Sequence, residues 1–118
     1  MRFNKHYTRD EARQLLPQLR EWLLRLNQLR QQLEETDQQL GTRLQAGWDV
    51  GGPAANHWVR CLGELREILA EFERRDIQVK DLERGLIDFP AVIDKREVFL
   101  CWEMGEEDIA FYHDLDRS

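Results

Sequence analysis

The spacing of leucines near the start of the chain restricts the fold more than any other feature of this sequence. Apolar residues recur at alternating intervals of four and three, the spacing of a helix that packs along one narrow seam. The seam consists of Leu15, Leu19, Trp22, Leu26, Leu29, Leu33 and, after the polar Thr36, Leu40. A strand would instead alternate with a period of two, so this part of the chain is predicted to form one long helix.

The sequence also indicates where this helix begins and that it has a second apolar face. Thr8 and Glu11 have the spacing of a capping box, in which each side chain satisfies a free backbone N–H at a helix start. We therefore predict helix one over residues 8–44. The second face, in the N-terminal half only, consists of Ala12, Leu16 and Leu23. That half is expected to contact both a returning helix and a sheet, with a subunit interface as the competing interpretation.

A second helix is predicted over residues 53–75, after a glycine-rich connection. Gly52 and Pro53 suit a helix start, because proline is tolerated in the first helical turn. The apolar face of this helix consists of Trp58, Leu62, Leu65, Leu69 and Phe72. Two helices with similar seams predict an antiparallel hairpin. The connection lacks the Lys-Ser or Lys-Thr pair of a phosphate-binding loop.

The pattern changes after the second helix to short β-branched and aromatic runs separated by turn residues. These runs predict three or four short strands over 77–114, paired as an antiparallel meander. Together with the hairpin they predict an α+β fold in a single domain over residues 1–118. Pro90 fits an edge or a bulge better than a central strand, because it cannot donate a hydrogen bond to a neighbouring strand.

A tight last turn would determine how the last two strands pair. If residues 103 and 108 face each other, Val98 pairs with His113 on one face and Phe99 pairs with Tyr112 on the other. Both faces then carry large apolar side chains, so each face needs a cover. The hairpin is expected to cover one face. A second subunit, or the segment that joins helix two to the sheet, would cover the other.

Charge and composition exclude some partners and compartments. Residues 76–118 hold 12 acidic and 5 basic side chains, whereas residues 1–75 hold 11 and 12. Nucleic acid is not expected as a partner, because phosphate binding uses lysine and arginine. No membrane association is expected either, because no apolar run has the length of a membrane span and the start lacks a signal peptide's apolar core. We expect a cytoplasmic protein in which Cys61 and Cys101 are free thiols.

Four segments of the chain resemble a bacterial family known only as a domain of unknown function, DUF2203. They are YTRDEA with LLP at 7–12 and 15–17, VKDLERGLIDFPA at 79–91, REVFLCW with GE at 96–102 and 105–106, and His113. The resemblance extends over nearly the whole chain. It implies no activity, ligand or cofactor, since none is established for that family.

The C-terminal part holds two candidate binding sites, of which the first is a small acidic pocket for a ligand. Its residues would be Glu83, Asp88, Trp102 and His113. A pocket is suggested because scaffolds rarely keep buried carboxylates without charge partners. The ordinary alternatives are a packed histidine with one hydrogen-bonded nitrogen, and an Arg84 ion pair that orders the turn.

The second candidate is a metal site at the last turn. Glu103, Glu106, Glu107 and Asp108 lie close together there in the sequence. Four carboxylates around one turn need solvent, an arginine or a cation to be tolerated. Their oxygens suit a hard divalent ion such as Mg²⁺ or Ca²⁺. The alternative is a hydrated turn without an ion.

A short basic stripe lies beside the second apolar face of helix one. Arg9, Arg13 and Arg20 fall on the same side of the helix at 100° per residue. The stripe is either a solvated flank or a docking surface for an acidic partner, including the acidic C-terminal segment of a neighbouring subunit.

The sequence favours a non-enzymatic interaction or scaffold protein that forms a homo-oligomer. The reason is the apolar surface on the second face of helix one and on both faces of the sheet. The alternative is a small enzyme, or a sensor of a metal or small-molecule ligand, that uses the carboxylate-rich sheet. No catalytic residue is identified, since Cys101 has no basic neighbour and the only serine is Ser118.

Overall fold

The computed structural model describes residues 1–45, 47 and 52–115 and confirms the α+β fold class. Two helices, α1 (Arg9–Gln45) and α2 (Pro53–Arg74), precede one antiparallel sheet. Its strands are β1 (Gln78–Asp81), β2 (Leu86–Ile93), β3 (Arg96–Glu103) and β4 (Phe111–Asp114), in that spatial order. Most of the predicted glycine-rich connection lies outside the described residues.

Both helices begin with the local signals read from the sequence. Thr8 Oγ1 accepts a hydrogen bond from the backbone N–H of Glu11 at 3.1 Å, and Glu11 Oε1 accepts one from the backbone N–H of Thr8 at 2.9 Å. This reciprocal pair confirms the capping box. α2 has Pro53 in its first turn, where the missing N–H would have no helical partner.

The helices pack against each other as the predicted antiparallel hairpin. The rings of Trp22 and Phe72 lie 5.6 Å apart between centroids, and Cys61 Sγ lies 3.3 Å from Gln32 Oε1 further along the hairpin. The 37 residues of α1 extend about 55 Å, which accounts for most of the molecule's 62 Å long axis. Neither helix, over its described residues, is apolar enough along its length to cross a bilayer.

The second apolar face of α1 packs against the sheet. Ala12, Leu16 and Leu23 are buried in one cluster with α2 and with the sheet face that we term the inner face. The inner-face side chains in this cluster include Ile87, Phe89, Ala91, Val98, Leu100 and Trp102. This face of α1 therefore offers no free surface to a second subunit.

The opposite face of the sheet, the outer face, is covered by the first residues of the chain. Glu97 accepts hydrogen bonds from the backbone N–H groups of Arg2 at 2.8 Å and of Phe3 at 3.0 Å. The Phe3 ring packs edge-on against Phe99, with centroids 5.4 Å apart. We term residues 2–7 the N-terminal strap. The strap was not among the predicted covers, which were a second subunit and the segment that joins α2 to the sheet.

The strap crosses from the outer to the inner face beside Pro90. The Tyr7 backbone N–H donates to the Pro90 carbonyl at 2.7 Å, and the Tyr7 ring packs on Phe89 of the inner face at 5.5 Å. β2 is an inner strand, but its pairing with β1 involves only Leu86, Ile87 and Asp88. Pro90 therefore lies at a local edge, where its missing N–H costs no ladder hydrogen bond.

The predicted pairing of the last two strands is wrong by one residue. Phe99 pairs with His113, Leu100 with Tyr112 and Cys101 with Phe111. Because side chains alternate along a strand, this shift moves His113 from the face of Val98 to the face of Phe99, which is the outer face. The cause is the long connection before β4: a turn closes between Glu103 and Glu106, and the buried Ile109 then enters the core, so residues 103 and 108 do not face each other across one turn.

Candidate functional site

Three polar side chains from three neighbouring strands meet on the outer face. Asp88 on β2 lies opposite Cys101 on β3, and His113 on β4 follows two residues after Phe111, the partner of Cys101. One carboxylate oxygen, the Cys101 Sγ and one His113 ring nitrogen all lie within 4.8 Å of one another. Paired strands hold these groups more firmly than a loop would. We term this group the outer-face cluster.

Asp88 is the buried member of the outer-face cluster. Only 1% of the residue is exposed, and its Oδ2 lies 3.2 Å from His113 Nε2. Its Oδ1 is buried without a hydrogen-bond partner. A buried acceptor without a partner costs free energy, because the water that it loses on folding is not replaced. The fold therefore tolerates an unsatisfied oxygen at this position.

His113 faces an acceptor with each of its ring nitrogens. Nδ1 lies 2.9 Å from the backbone carbonyl of Asp114, which can only accept, so Nδ1 carries the proton of this hydrogen bond. In the neutral ring, Nε2 then presents a lone pair to the Asp88 carboxylate. Two acceptors in contact repel unless a proton or another cation lies between them.

Cys101 completes the cluster with a thiol. Burial, followed by the nearby Asp88 carboxylate, raises the pKa of Cys101 to about 11. At neutral pH the thiol is therefore protonated and is a poor nucleophile.

Of the four residues predicted to form an acidic pocket, the structure brings two together. Asp88 and His113 belong to the outer-face cluster, whereas Trp102 is fully buried on the inner face and donates from Nε1 to the Glu106 carbonyl at 3.0 Å. Glu83 is exposed and lies 3.4 Å from Arg30. Cys101 was missed as a member because the predicted register placed His113 on the face of Val98, opposite to the face that carries Cys101.

The four carboxylates of the predicted metal site do not converge on one point. Asp108 is bound by arginines of α1, Glu103 pairs with Arg84 at 2.5 Å, and Glu106 Oε1 accepts from the Glu103 backbone N–H at 2.8 Å. Glu107 is exposed. Arginines and a backbone N–H thus provide the contacts to these carboxylates that Mg²⁺ or Ca²⁺ would provide in the metal-site hypothesis. Binding of such an ion there stays a prediction that the geometry does not favour.

The basic stripe of α1 docks the acidic segment of its own chain. Arg13 and Arg9 both bond Asp108, at 2.5 and 2.9 Å, and Arg20 donates to the Glu106 carbonyl at 3.3 Å. The hydrogen bond from Arg13, followed by one from the Ile109 backbone N–H, lowers the pKa of Asp108 to about 2. Of the two interpretations of the stripe, docking on an acidic segment therefore applies within this same chain.

An open apolar cleft lies beside β4, at the free edge of the sheet. Its volume is about 570 Å³, and it is bounded by the start of α1, the end of β2, and residues 109–112. Phe111 is 68% exposed and Tyr112 is 54% exposed, and both line it together with the exposed Val92. By the strand register Tyr112 lies on the inner face, whereas Phe111 and Val92 lie on the outer face, so apolar side chains are exposed on both sides of the sheet at this corner.

Comparisons with known proteins give a family but no function. The family described as an uncharacterized conserved protein (DUF2203) matches residues 5–118. No curated protein and no solved structure gave a significant match.

Proposed function

The chain belongs to the uncharacterised DUF2203 family, and we propose that it is a non-enzymatic interaction protein that forms a homodimer through β4. The observation that carries this proposal is the pair of exposed aromatic side chains, Phe111 and Tyr112, on an edge strand beside the apolar cleft. Edge strands present unpaired N–H and C=O groups, and proteins usually protect them with charges or a cover. The two aromatic residues leave this edge open for a partner.

Exposed apolar side chains are concentrated at this corner of the molecule. Among the described residues, the large exposed hydrophobic side chains are Met1, Leu24, Val59, Val92, Phe111 and Tyr112. Three of them line the cleft. Scattered apolar side chains are ordinary on a surface, but a group of them beside an unpaired strand is typical of an interface.

A second copy of the chain fits this edge. A two-fold axis perpendicular to the sheet would pair β4 with β4 antiparallel, join the sheets and bring the two clefts together. If the axis passes at Tyr112, Phe111 lies opposite His113 and no like charges face each other, since the only carboxylate of β4 is Asp114. From the sequence, self-association was expected because of apolar surface on the second face of helix one and on both faces of the sheet; the present proposal rests instead on the exposed edge of β4.

Size-exclusion chromatography with light scattering at micromolar concentration tests the proposal. We expect a mass of twice the 14.2 kDa chain for the parent protein, and a monomer for Tyr112→Glu, because a carboxylate would be buried in the interface. Leu24→Glu is the matched control, since Leu24 is 59% exposed but lies on α1 away from the cleft. A monomeric parent protein, or a dimer that survives Tyr112→Glu, would contradict the proposal.

A further inference from the structure

We propose that Asp88, Cys101 and His113 are three ligands of a zinc ion on the outer face of the sheet. This inference is independent of self-association through β4. It rests on the convergence of a carboxylate, a thiol and an imidazole, whose ligand atoms lie within 4.8 Å of one another. In tetrahedral zinc sites the ligand atoms are roughly 3.3–3.7 Å apart, so small side-chain rotations complete the site.

The unsatisfied carboxylate is the second observation that points to a bound cation. Asp88 is 1% exposed, its Oδ1 has no hydrogen-bond partner, and its Oδ2 is directed at His113. A metal ion that binds both oxygens of this carboxylate would give Oδ1 the partner that it lacks. It would also balance the charge of the carboxylate, since among the described residues no arginine or lysine forms an ion pair with Asp88, and His113, at 3.2 Å, balances that charge only when its ring is protonated.

His113 has the orientation that metal-binding histidines adopt. Such residues donate one ring N–H to a backbone carbonyl or carboxylate, which fixes the ring and directs the other nitrogen at the metal. Nδ1 of His113 lies 2.9 Å from the Asp114 carbonyl, and Nε2 is directed at Asp88. A cation between Nε2 and Oδ2 removes the repulsion between two acceptors.

The donor set selects the class of metal. Sulfur, nitrogen and oxygen ligands together suit zinc, whereas Mg²⁺ and Ca²⁺ take oxygen ligands almost exclusively. The 21% exposure of the His113 side chain gives the ion a path from solvent. Three protein ligands leave a fourth position to water or to an exogenous ligand, as zinc sites with an open position do.

Metal binding by the full chain, after treatment with a chelator, tests the proposal. Co²⁺ serves as the probe, because tetrahedral cobalt absorbs visible light and a cobalt–thiolate bond adds a near-ultraviolet charge-transfer band. We expect the parent protein to show both signals with one equivalent of Co²⁺ and to lose them when Zn²⁺ displaces the cobalt. Absence of the charge-transfer band in the parent protein would overturn the proposal.

Three conservative variants test the ligands one at a time. Cys101→Ser should abolish the charge-transfer band, and Cys101→Ser, His113→Gln and Asp88→Asn should each weaken Zn²⁺ binding by at least about 100-fold in calorimetry. Circular dichroism shows which variants fold, and the metal-binding measurements are interpreted only for folded variants.

The matched control is Cys61→Ser, which removes the other thiol. Cys61 lies in the hairpin, 3.5 Å from His57 Nε2, and so offers the alternative cysteine–histidine pair. Cys61→Ser should retain both the charge-transfer band and the parent affinity. A band that survives Cys101→Ser, or one that disappears in Cys61→Ser, would place the metal elsewhere and reject the proposed site.

Discussion

The two faces of the sheet differ in what covers them and in what they contain. The inner face lies under two long helices and holds only apolar side chains at its centre, such as Phe89 and Trp102. The outer face lies under a short strap and holds a carboxylate, a thiol and an imidazole. The inner face is therefore built for stability, whereas the outer face retains polar groups that a stable core would not need.

Removal of a large side chain from the inner face should lower the free energy of unfolding more than any other substitution discussed below. Trp102 is fully buried, so Trp102→Ala is expected to lower the free energy of unfolding by about 3–5 kcal/mol. Urea denaturation followed by circular dichroism measures this. A loss below 1 kcal/mol would contradict the assignment of stability to the inner face.

The strap should stabilise the fold in a pH-dependent way. Burial opposes ionisation of Glu97, but hydrogen bonds from His6, Phe3 and Arg2 outweigh it and lower the pKa of Glu97 from 4.5 to about 2. A lowered pKa means that this contribution is present above pH 4.5 and is lost as the pH falls toward 2.

Urea midpoints measured between pH 7 and pH 2 test the role of Glu97. Glu97→Gln should be less stable than the parent protein at pH 7, and the difference should shrink below pH 4.5. Glu107→Gln, at an exposed carboxylate, is the control and should follow the parent protein. A constant difference between Glu97→Gln and the parent protein at every pH would exclude the ionised carboxylate as the cause.

On the outer face, removal of a charge should stabilise the metal-free protein. The amide of Asp88→Asn can donate to His113 Nε2, so the repulsion between two acceptors is replaced by a hydrogen bond worth about 1 kcal/mol. Thermal melts with chelator should therefore show a higher midpoint for Asp88→Asn, and melts with Zn²⁺ should show the reverse order. A large destabilisation with chelator would instead make Asp88 a structural residue.

The structural features that depend on local sequence patterns were predicted correctly, whereas the register of β4, which depends on long-range contacts, was not. The capping box, both helices and the meander follow from spacing within short segments, and all are present. The register of β4 depends on how the Ile109 side chain and the Asp108 carboxylate dock on distant residues, which no local pattern reports. That one-residue difference separated Cys101 from His113, and so the outer-face cluster could not be assembled from the sequence.

A substitution in a turn, outside both faces of the sheet, should change the free energy of unfolding least. Asp94 and Lys95 form the two-residue turn between β2 and β3 with φ of 50° and 64°, a region that glycine adopts without strain. Lys95→Gly is expected to raise the free energy of unfolding by about 0.5 kcal/mol without changing metal binding. Chemical denaturation and Zn²⁺ calorimetry of the same sample check both statements, and a loss of stability would contradict the turn assignment.

The most direct test of a functional outer face is a crystal structure of the protein grown with Zn²⁺, with data collected on both sides of the zinc absorption edge. The proposed zinc site predicts one anomalous peak about 2.0–2.3 Å from a carboxylate oxygen of Asp88, from His113 Nε2 and from Cys101 Sγ. A zinc peak confined to the acidic residues 103–108, or none within reach of Cys101, would contradict it.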